Sequence, residues 1–584
     1  PKDDDSEVLT VPPGHEIFHD AGSGILNSAP VGDSTTMDRN ETVILKGDSG
    51  RDHRQIGLGI DAGGTYTDAV IFDFQTSRVL AKAKALTTKW KYSLGIMESV
   101  ESLPDNLVTA VDVVSVSTTL VTNAIVESNR RNVGLLLMPG GLDAPDTLHH
   151  QPTEVIRGRM SIGGDMTEDI DPEQIRSFAK EFTTRYHVEA FAVSGYGGSV
   201  NPELEIRVRD ILKDETGMDV CCGHELSGTL NFSVRAVTAV LNAGVMPIMD
   251  EFLREMEQAI AAKGITAPML VVRGDGSVMN ESYAREFPIQ TALSGPAASM
   301  AGARYLTGED EALVVDIGGT TSDIGFLENG RVSVCDDGAN IGGWATHVKA
   351  VDMRTAGLGG DSELLYERGQ WALGPRRVTP VSWLGYAESD LIRLTNQIEA
   401  SYSSGREIID SSASLQFLGR TGKEPDFILH SREQAVWDVL EDGPLMLREI
   451  QERLGLGSWR TVKTGRLESA YCLCRFGLTP TDIYHASGRL SLWNSRFSRL
   501  YLKLVAARSG LDVSALLGMA EDMVGGILGR AVLEKVMPLN LSGKNKADGG
   551  ASRETTALYS SVLNGGNHRI ALNPKISMPV IGLG

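Results

Sequence analysis

The phrase Asp61-Ala-Gly-Gly-Thr-Tyr-Thr-Asp68 returns 255 positions later as Asp316-Ile-Gly-Gly-Thr-Thr-Ser-Asp323, each time at the end of an apolar run. Each copy reads as a buried strand, a tight glycine turn and a returning strand. Gly63, Gly64, Gly318 and Gly319 leave no Cβ in the way of an approaching anion, and such turns present their backbone N–H groups. Thr65, Thr67, Thr320, Thr321 and Ser322 add hydroxyl donors. Asp61 and Asp316 repel phosphate but hold a divalent cation through its waters. One copy alone reads equally as an ordinary hairpin turn, where Asp-Gly and Gly-Gly are common. Two full copies in the same strand-turn-strand setting argue for paired turns gripping one triphosphate from both sides. No Walker A pattern occurs, and Gly357–Asp361 does not complete GxGxxG, so P-loop and dinucleotide readings are weaker.

A chain of 584 residues is too long for one core, and two to four domains are expected. The formal net charge of -21 argues against a broad nucleic-acid surface. The absence of an uninterrupted apolar run of about 18 residues argues against a membrane span. The acidic amino terminus lacks the basic region of a secretory signal. Five cysteines form no disulfide framework: Cys221 and Cys222 are adjacent, and Cys472-x-Cys474 lacks the gap of a zinc knuckle. They read as structural thiols in a reducing cytoplasm. His224-Glu225 lacks the second histidine of HExxH, which removes a zinc-protease reading.

Residues 1–54, rich in Pro, Gly, Ser and acidic side chains, are expected to form a flexible or wrapped leader. From Gln55 onward, strand-like runs such as IGLGI, VVSVS and VGLLLM alternate with helical patterns, which implies α/β domains. The hairpin pattern of DAVIFDFQTSRVLAKA makes mixed sheets the expectation. Ser233–Gly264 reads as helix with a break or kink at Pro247. The expected domains are 55–230 and 231–584, the latter carrying the second turn and a helical insertion over about 382–536.

The paired phrases resemble the two phosphate motifs of the actin, sugar-kinase and Hsp70 ATPase superfamily. With SVSTTLVTNAIVE (115–127), SGYGGSVNPELE (194–205), RAVTAVLNAGVMP (235–247), LSGPAASMAGA (293–303) and VDMRTAGLGGDS (351–362), the chain more narrowly resembles the hydantoinase A/5-oxoprolinase family from about Ile56 onward. The resemblance implies duplicated actin-like, ribonuclease H-like α/β domains. It also implies an ATP- and Mg2+-dependent enzyme that opens a cyclic amide such as a hydantoin or 5-oxoproline by phosphorylating the amide oxygen. A small-molecule kinase or ketone-carboxylase subunit, and a nucleotide-switched binding protein, are the alternatives. The implied partners are the cyclic amide and a second, hydantoinase B-like subunit or a further copy of the chain.

Carried over by motif, Asp61, Gly63, Gly64, Thr65 and Thr67 form the first phosphate turn, and Gly318, Gly319, Thr320 and Thr321 the second. Asp316 leads as Mg2+ ligand and catalytic group, with Asp61 as the other metal candidate. Ser294 and Gly295 are expected to line the cleft. Thr118, Thr119 and Asn123 belong either to the substrate side or to a helix cap. In the glycine-rich loop after Asp352, either Asp352 or Asp361 serves as metal ligand or water-orienting base, or the loop is a solvated turn. His347 is a candidate acid or base, and His485 has the same standing; a structural histidine is the competing account of each. Longer members of the family continue beyond a segment like the closing ISMPVIGLG, and Val562–Ala571 matches the adenine-side glycine turn only loosely. Weak nucleotide binding, or dependence on a second subunit, is the corresponding expectation.

Overall fold

The computed structural model describes residues 55–88, 91–141, 150–403, 408–537 and 579–583. The leader (1–54) and the proposed adenine-side turn (562–571) lie outside the described residues. The described residues divide into two compact units, 55–360 with 525–537 and 579–583, and 361–524.

In the larger unit a six-stranded sheet runs Val278–Asn280, Met269–Val272, Val113–Thr118, Ile56–Ala62, Tyr66–Asp73, Arg78–Leu86. Ile56–Ala62 is antiparallel to Tyr66–Asp73 and parallel to Val113–Thr118, so the sheet is mixed. Along Tyr66–Asp73 every second residue is buried, the period of a strand with one face on a core. A second sheet, Asp219–Cys222, Ala190–Gly195, Val133–Met138, Thr153–Val155, is parallel throughout. Its two central strands are buried at every residue, as the unbroken apolar runs VGLLLM and AFAVSG require. In the third sheet Ala312–Ile317 is antiparallel to Ser322–Glu328 and parallel to Val580–Leu583. The duplication therefore reaches beyond the turn: each copy is a hairpin whose first strand has a parallel neighbour on its other side.

The expected boundary at residue 230 lies inside this unit. Met269–Val272, from beyond it, pairs with Val113–Thr118, and strand pairing joins both sides into one body. The helix Phe232–Ala262 packs against the strand Ala190–Gly195 and the helix Tyr92–Glu101. Ala236, Ala239 and Ala243, fully buried at helical spacing, give it a small-residue face. It is long and apolar enough to cross a membrane, but most of it is buried in the core. No break occurs at Pro247, which lies inside the continuous helix.

Residues 361–524 carry two cores of their own, one around Leu384, Phe417, Phe497 and Tyr501, the other around Leu418, Trp437, Leu447 and Leu473. The expected helical insertion is mixed rather than all-helical. Phe417–Arg420, Leu445–Met446 and Leu473–Gly477 belong to a four-stranded sheet with Thr379–Pro380. Leu473 and Phe476 are buried two positions from Leu418 and opposite Phe417, so the short CLCRF run pairs as a strand in apolar company.

Candidate functional site

The two glycine turns meet. Thr65 Oγ1 lies 3.0 Å from Thr320 Oγ1, and both belong to the larger unit. The turns are built alike: Gly63 N–H donates to Tyr66 O at 3.0 Å, and Gly318 N–H to Thr321 O at 2.9 Å. Asp61 stands opposite Asp68 in one hairpin, and Asp316 opposite Asp323 in the other. A Cβ on Gly63 would sit 2.9 Å from Tyr66 O, too close for any side chain. One on Gly64 would lie 3.4 Å from Asn123 Nδ2, 3.8 Å from Thr320 Oγ1 and 3.9 Å from Thr119 Oγ1, filling a polar cradle between the turns. Thr119 and Asn123 thus face the first turn, with Asn123 Nδ2 donating to Thr119 Oγ1 at 3.2 Å. Thr118 is instead structural. It is fully buried, and its hydroxyl donates to Ala62 O and accepts from Leu120 N–H at the start of the helix Leu120–Val126.

The helix Ser294–Thr307 touches both carboxylates. A Cβ on Gly295 would lie 3.7 Å from Asp61 Oδ1, and Ser299, four residues on and so on the same face, hydrogen-bonds Asp316. Burial pushes the Asp61 carboxyl up to about 6, against the hydrogen bond that Ser117 Oγ donates at 2.6 Å; the neighbouring charges of Asp68 and Asp316 push the same way as burial. Burial also raises Asp316, partly offset by Ser299 and Lys84. Asp323 rises to about 6 through burial, with Thr355 Oγ1 donating to it at 2.7 Å. Buried carboxylates that repel one another are the donor set a cation relieves. Backbone amides, hydroxyls and a Cβ-free cradle beside them suit a polyphosphate, so the residues present fit a nucleotide with a divalent ion.

Several expected site residues stand elsewhere or act differently. The Thr67 hydroxyl is buried and 3.0 Å from Thr87 Oγ1, so it shapes the turn from behind rather than facing a ligand. Ser322 is buried likewise and donates to Leu358 O. Ser294 does not line the cleft with its side chain: its buried Oγ accepts from Thr118 N–H and donates to Thr118 O, stitching helix to strand. Asp352 is paired with Lys535 at 3.0 Å and precedes the strand Met353–Ala356 at the end away from the second turn, which Ala356 adjoins opposite Ser322. His347 sits with Ser227 and Thr229, at 2.7 and 2.6 Å, and is lowered by burial and by Arg235. Asp361 is buried in the other compact unit. The loop before it has a different use. Gly360 N–H donates to Gly318 O at 2.9 Å, and a Cβ on Gly359 would collide with the Gly319 carbonyl. Gly359 is thus needed for backbone packing on the second turn. His485, fully buried, stacks on Trp493 and meets Ser495, a structural histidine.

Residue-by-residue reading missed Thr87, Ser117, Ser299 and Lys84. Thr87 N–H donates to Thr65 O at 2.8 Å and its hydroxyl to Gly63 O at 2.9 Å, clamping the first turn. The Thr-Thr pair after the third strand was the available signal. The Cys221 and Cys222 thiols are buried and pushed well up by burial, as structural thiols are.

The profile of the hydantoinase/oxoprolinase N-terminal region matches residues 57–216, and that of hydantoinase/oxoprolinase matches 235–421, together more than half of the chain. The chain is 28% identical over 357 residues to the caprolactamase subunit alpha of Pseudomonas jessenii, covering 55% of this chain and 51% of that protein. It is 24% identical over 364 residues to the acetophenone carboxylase gamma subunit of Aromatoleum aromaticum, covering 55% and 49%. The chain thus spans about half the length of these relatives. A nucleotide-free structure of acetone carboxylase shares the fold with a TM-score of 0.54 at 17% identity, covering 83% of this chain and 63% of that one.

Proposed function

Because the chain belongs to the hydantoinase/oxoprolinase family, we propose that it uses ATP to open a cyclic amide, alone or as the ATP-using subunit of a larger enzyme. The observation that carries this reading is the meeting of the two glycine turns at Thr65 and Thr320, with buried Asp61 and Asp316 beside them. A resting amide is a poor electrophile with a poor leaving group. Transfer of the terminal phosphoryl group to the amide oxygen gives an O-phosphorylated imidate. Water then adds to its carbon, the ring C–N bond breaks to release the amine and leave an acyl phosphate, and a second water hydrolyses that to the carboxylate and phosphate. The net change consumes one ATP, one ring amide and two waters and yields ADP, phosphate and the open amino acid.

In this reading the amides of both turns, with Thr65 and Thr320, hold the phosphates, while Asp61 and Asp316 would hold the divalent ion. Bound there, Mg2+ would neutralise charge on the transferring group. The protein's contribution is positioning and a preformed field rather than covalent chemistry. Cytoplasmic location and a second subunit belong to the same proposal. The matches to subunits of caprolactamase and acetophenone carboxylase favour a multi-subunit setting.

A second reading, ATP-dependent activation of a ketone for carboxylation, is favoured by the carboxylase relatives. Both are tested by incubating the protein with ATP and Mg2+ against hydantoin, N-methylhydantoin, 5-oxoproline, simple lactams, and ketones with bicarbonate. Lactam-stimulated ADP release with a ring-opened product supports the first reading. Ketone-stimulated release with bicarbonate incorporated replaces it with the second. Turnover stimulated only by a protein would sink both in favour of a nucleotide switch.

A further inference from the structure

Lys84 stands in the strand Arg78–Leu86, directly across from Asp68 in the register of the first hairpin. Its ammonium is 2.8 Å from Asp68 Oδ2 and 4.9 Å above the ring of Tyr66, the residue that closes the first turn. The pair is open to solvent, with both side chains about two-fifths exposed, so Nζ can change partners without disturbing the core. Its partner Asp68 stands opposite Asp61 in the first hairpin, as Asp323 stands opposite Asp316 in the second. The field of Lys84 reaches both Asp61 and Asp316 and favours their charged forms. A polyphosphate entering this group brings several further negative charges, and an exposed ammonium tethered beside the turn is placed to meet them.

We infer that Lys84 is a phosphate-binding residue of this site, exchanging Asp68 for a non-bridging oxygen of the bound nucleotide. This rests on the nucleotide reading above. It adds the cation that the repeated phrase lacks: neither copy contains a Lys or Arg. The competing account is an exposed cross-strand ion pair, which contributes little to stability and nothing to binding.

The two accounts part when each member of the pair is removed separately. Calorimetry would measure binding of ADP and of a non-hydrolysable ATP analogue, with Mg2+, to the wild-type protein and to Lys84→Met, Lys84→Arg and Asp68→Asn. Thermal midpoints would be read alongside. If Lys84 binds phosphate, Lys84→Met weakens the triphosphate analogue by roughly tenfold or more, the scale of one charge-assisted hydrogen bond. Lys84→Arg recovers most of that loss. Asp68→Asn, which frees the ammonium, binds as tightly as wild type or tighter. Binding to Lys84→Met within about twofold of wild type would overturn the inference while leaving the nucleotide reading in place. Equal weakening in Lys84→Met and Asp68→Asn would also overturn it, marking the pair as structural. A wild-type protein that binds neither nucleotide would overturn the nucleotide reading, and this inference with it.

Discussion

Asp61 and Asp316 are the two residues on which the candidate site turns, and their burial has a measurable cost. Folded Asp61 titrates at about 6 against an ordinary 3.8. Between those values the folded chain keeps a proton that the unfolded chain has released, so this residue's contribution is full below pH 3.8 and is lost as pH rises through 6. Asp61→Asn, still able to accept from Ser117, is expected to be more stable than wild type above pH 6 by about 3 kcal/mol, the scale of a two-unit shift. The difference should vanish near pH 4. Thermal midpoints of both proteins across pH 4 to 8 check this, and a gap independent of pH would contradict it. Asp316→Asn belongs to the chemistry instead. It is expected to lower ATP turnover by at least about 100-fold with the fold intact, in keeping with lost charge stabilisation at a phosphoryl-transfer site. Unchanged turnover with ordinary Mg2+ dependence would remove Asp316 from the mechanism.

The hairpins work as elements because other elements hold them. Thr87, just past the third strand, fastens the first turn through Gly63 O and Thr65 O. The Leu358–Gly360 segment fastens the second through Ser322 Oγ and Gly318 O. Thr87→Val keeps the shape and loses the hydroxyl's bond. It is expected to weaken nucleotide binding several-fold while costing about 1 kcal/mol of stability, read by calorimetry and a denaturant melt. Gly359→Ala puts a methyl group against the Gly319 carbonyl, and backbone has no rotamer with which to escape. Nucleotide binding should be lost, and circular dichroism should retain its secondary structure. Normal affinity in that variant would mean that the loop can move away from the turn. The glycines between Thr355 and Ser362 were visible in the sequence as a demand for close approach. What approaches them is a neighbouring loop, and local spacing has no means of naming it.

At the scale of the whole molecule, the smaller compact unit has cores of its own. Both of its cores are assembled wholly from residues between Leu364 and Ala520. Residues 361–524 expressed alone are therefore expected to melt cooperatively, with the near-ultraviolet signal of a packed core around Trp383, Trp437 and Phe417. A broad, non-cooperative transition would show that this unit depends on the remainder. In the larger unit Met269–Val272 pairs with Val113–Thr118, so one sheet is built from both sides of residue 230.

The sequence by itself determined that there are two hairpin turns of one design, that the sheets carrying them are mixed, and that the Ala- and Met-rich stretch after Phe232 is helix. Those features are local: a glycine pair, a period of two and a period near 3.6 are written in neighbouring residues. Only the tertiary structure decided which hydroxyls of the phrase face outward. Thr65, in the turn, meets Thr320, while Thr67, inside the strand Tyr66–Asp73, is buried against Thr87. It likewise separated Asp352, held by Lys535, from the turns, and brought Ser117, Ser299 and Lys84 to the carboxylates from three other elements. Contacts between residues far apart in the chain come from packing whole elements together, and no window of sequence contains both partners.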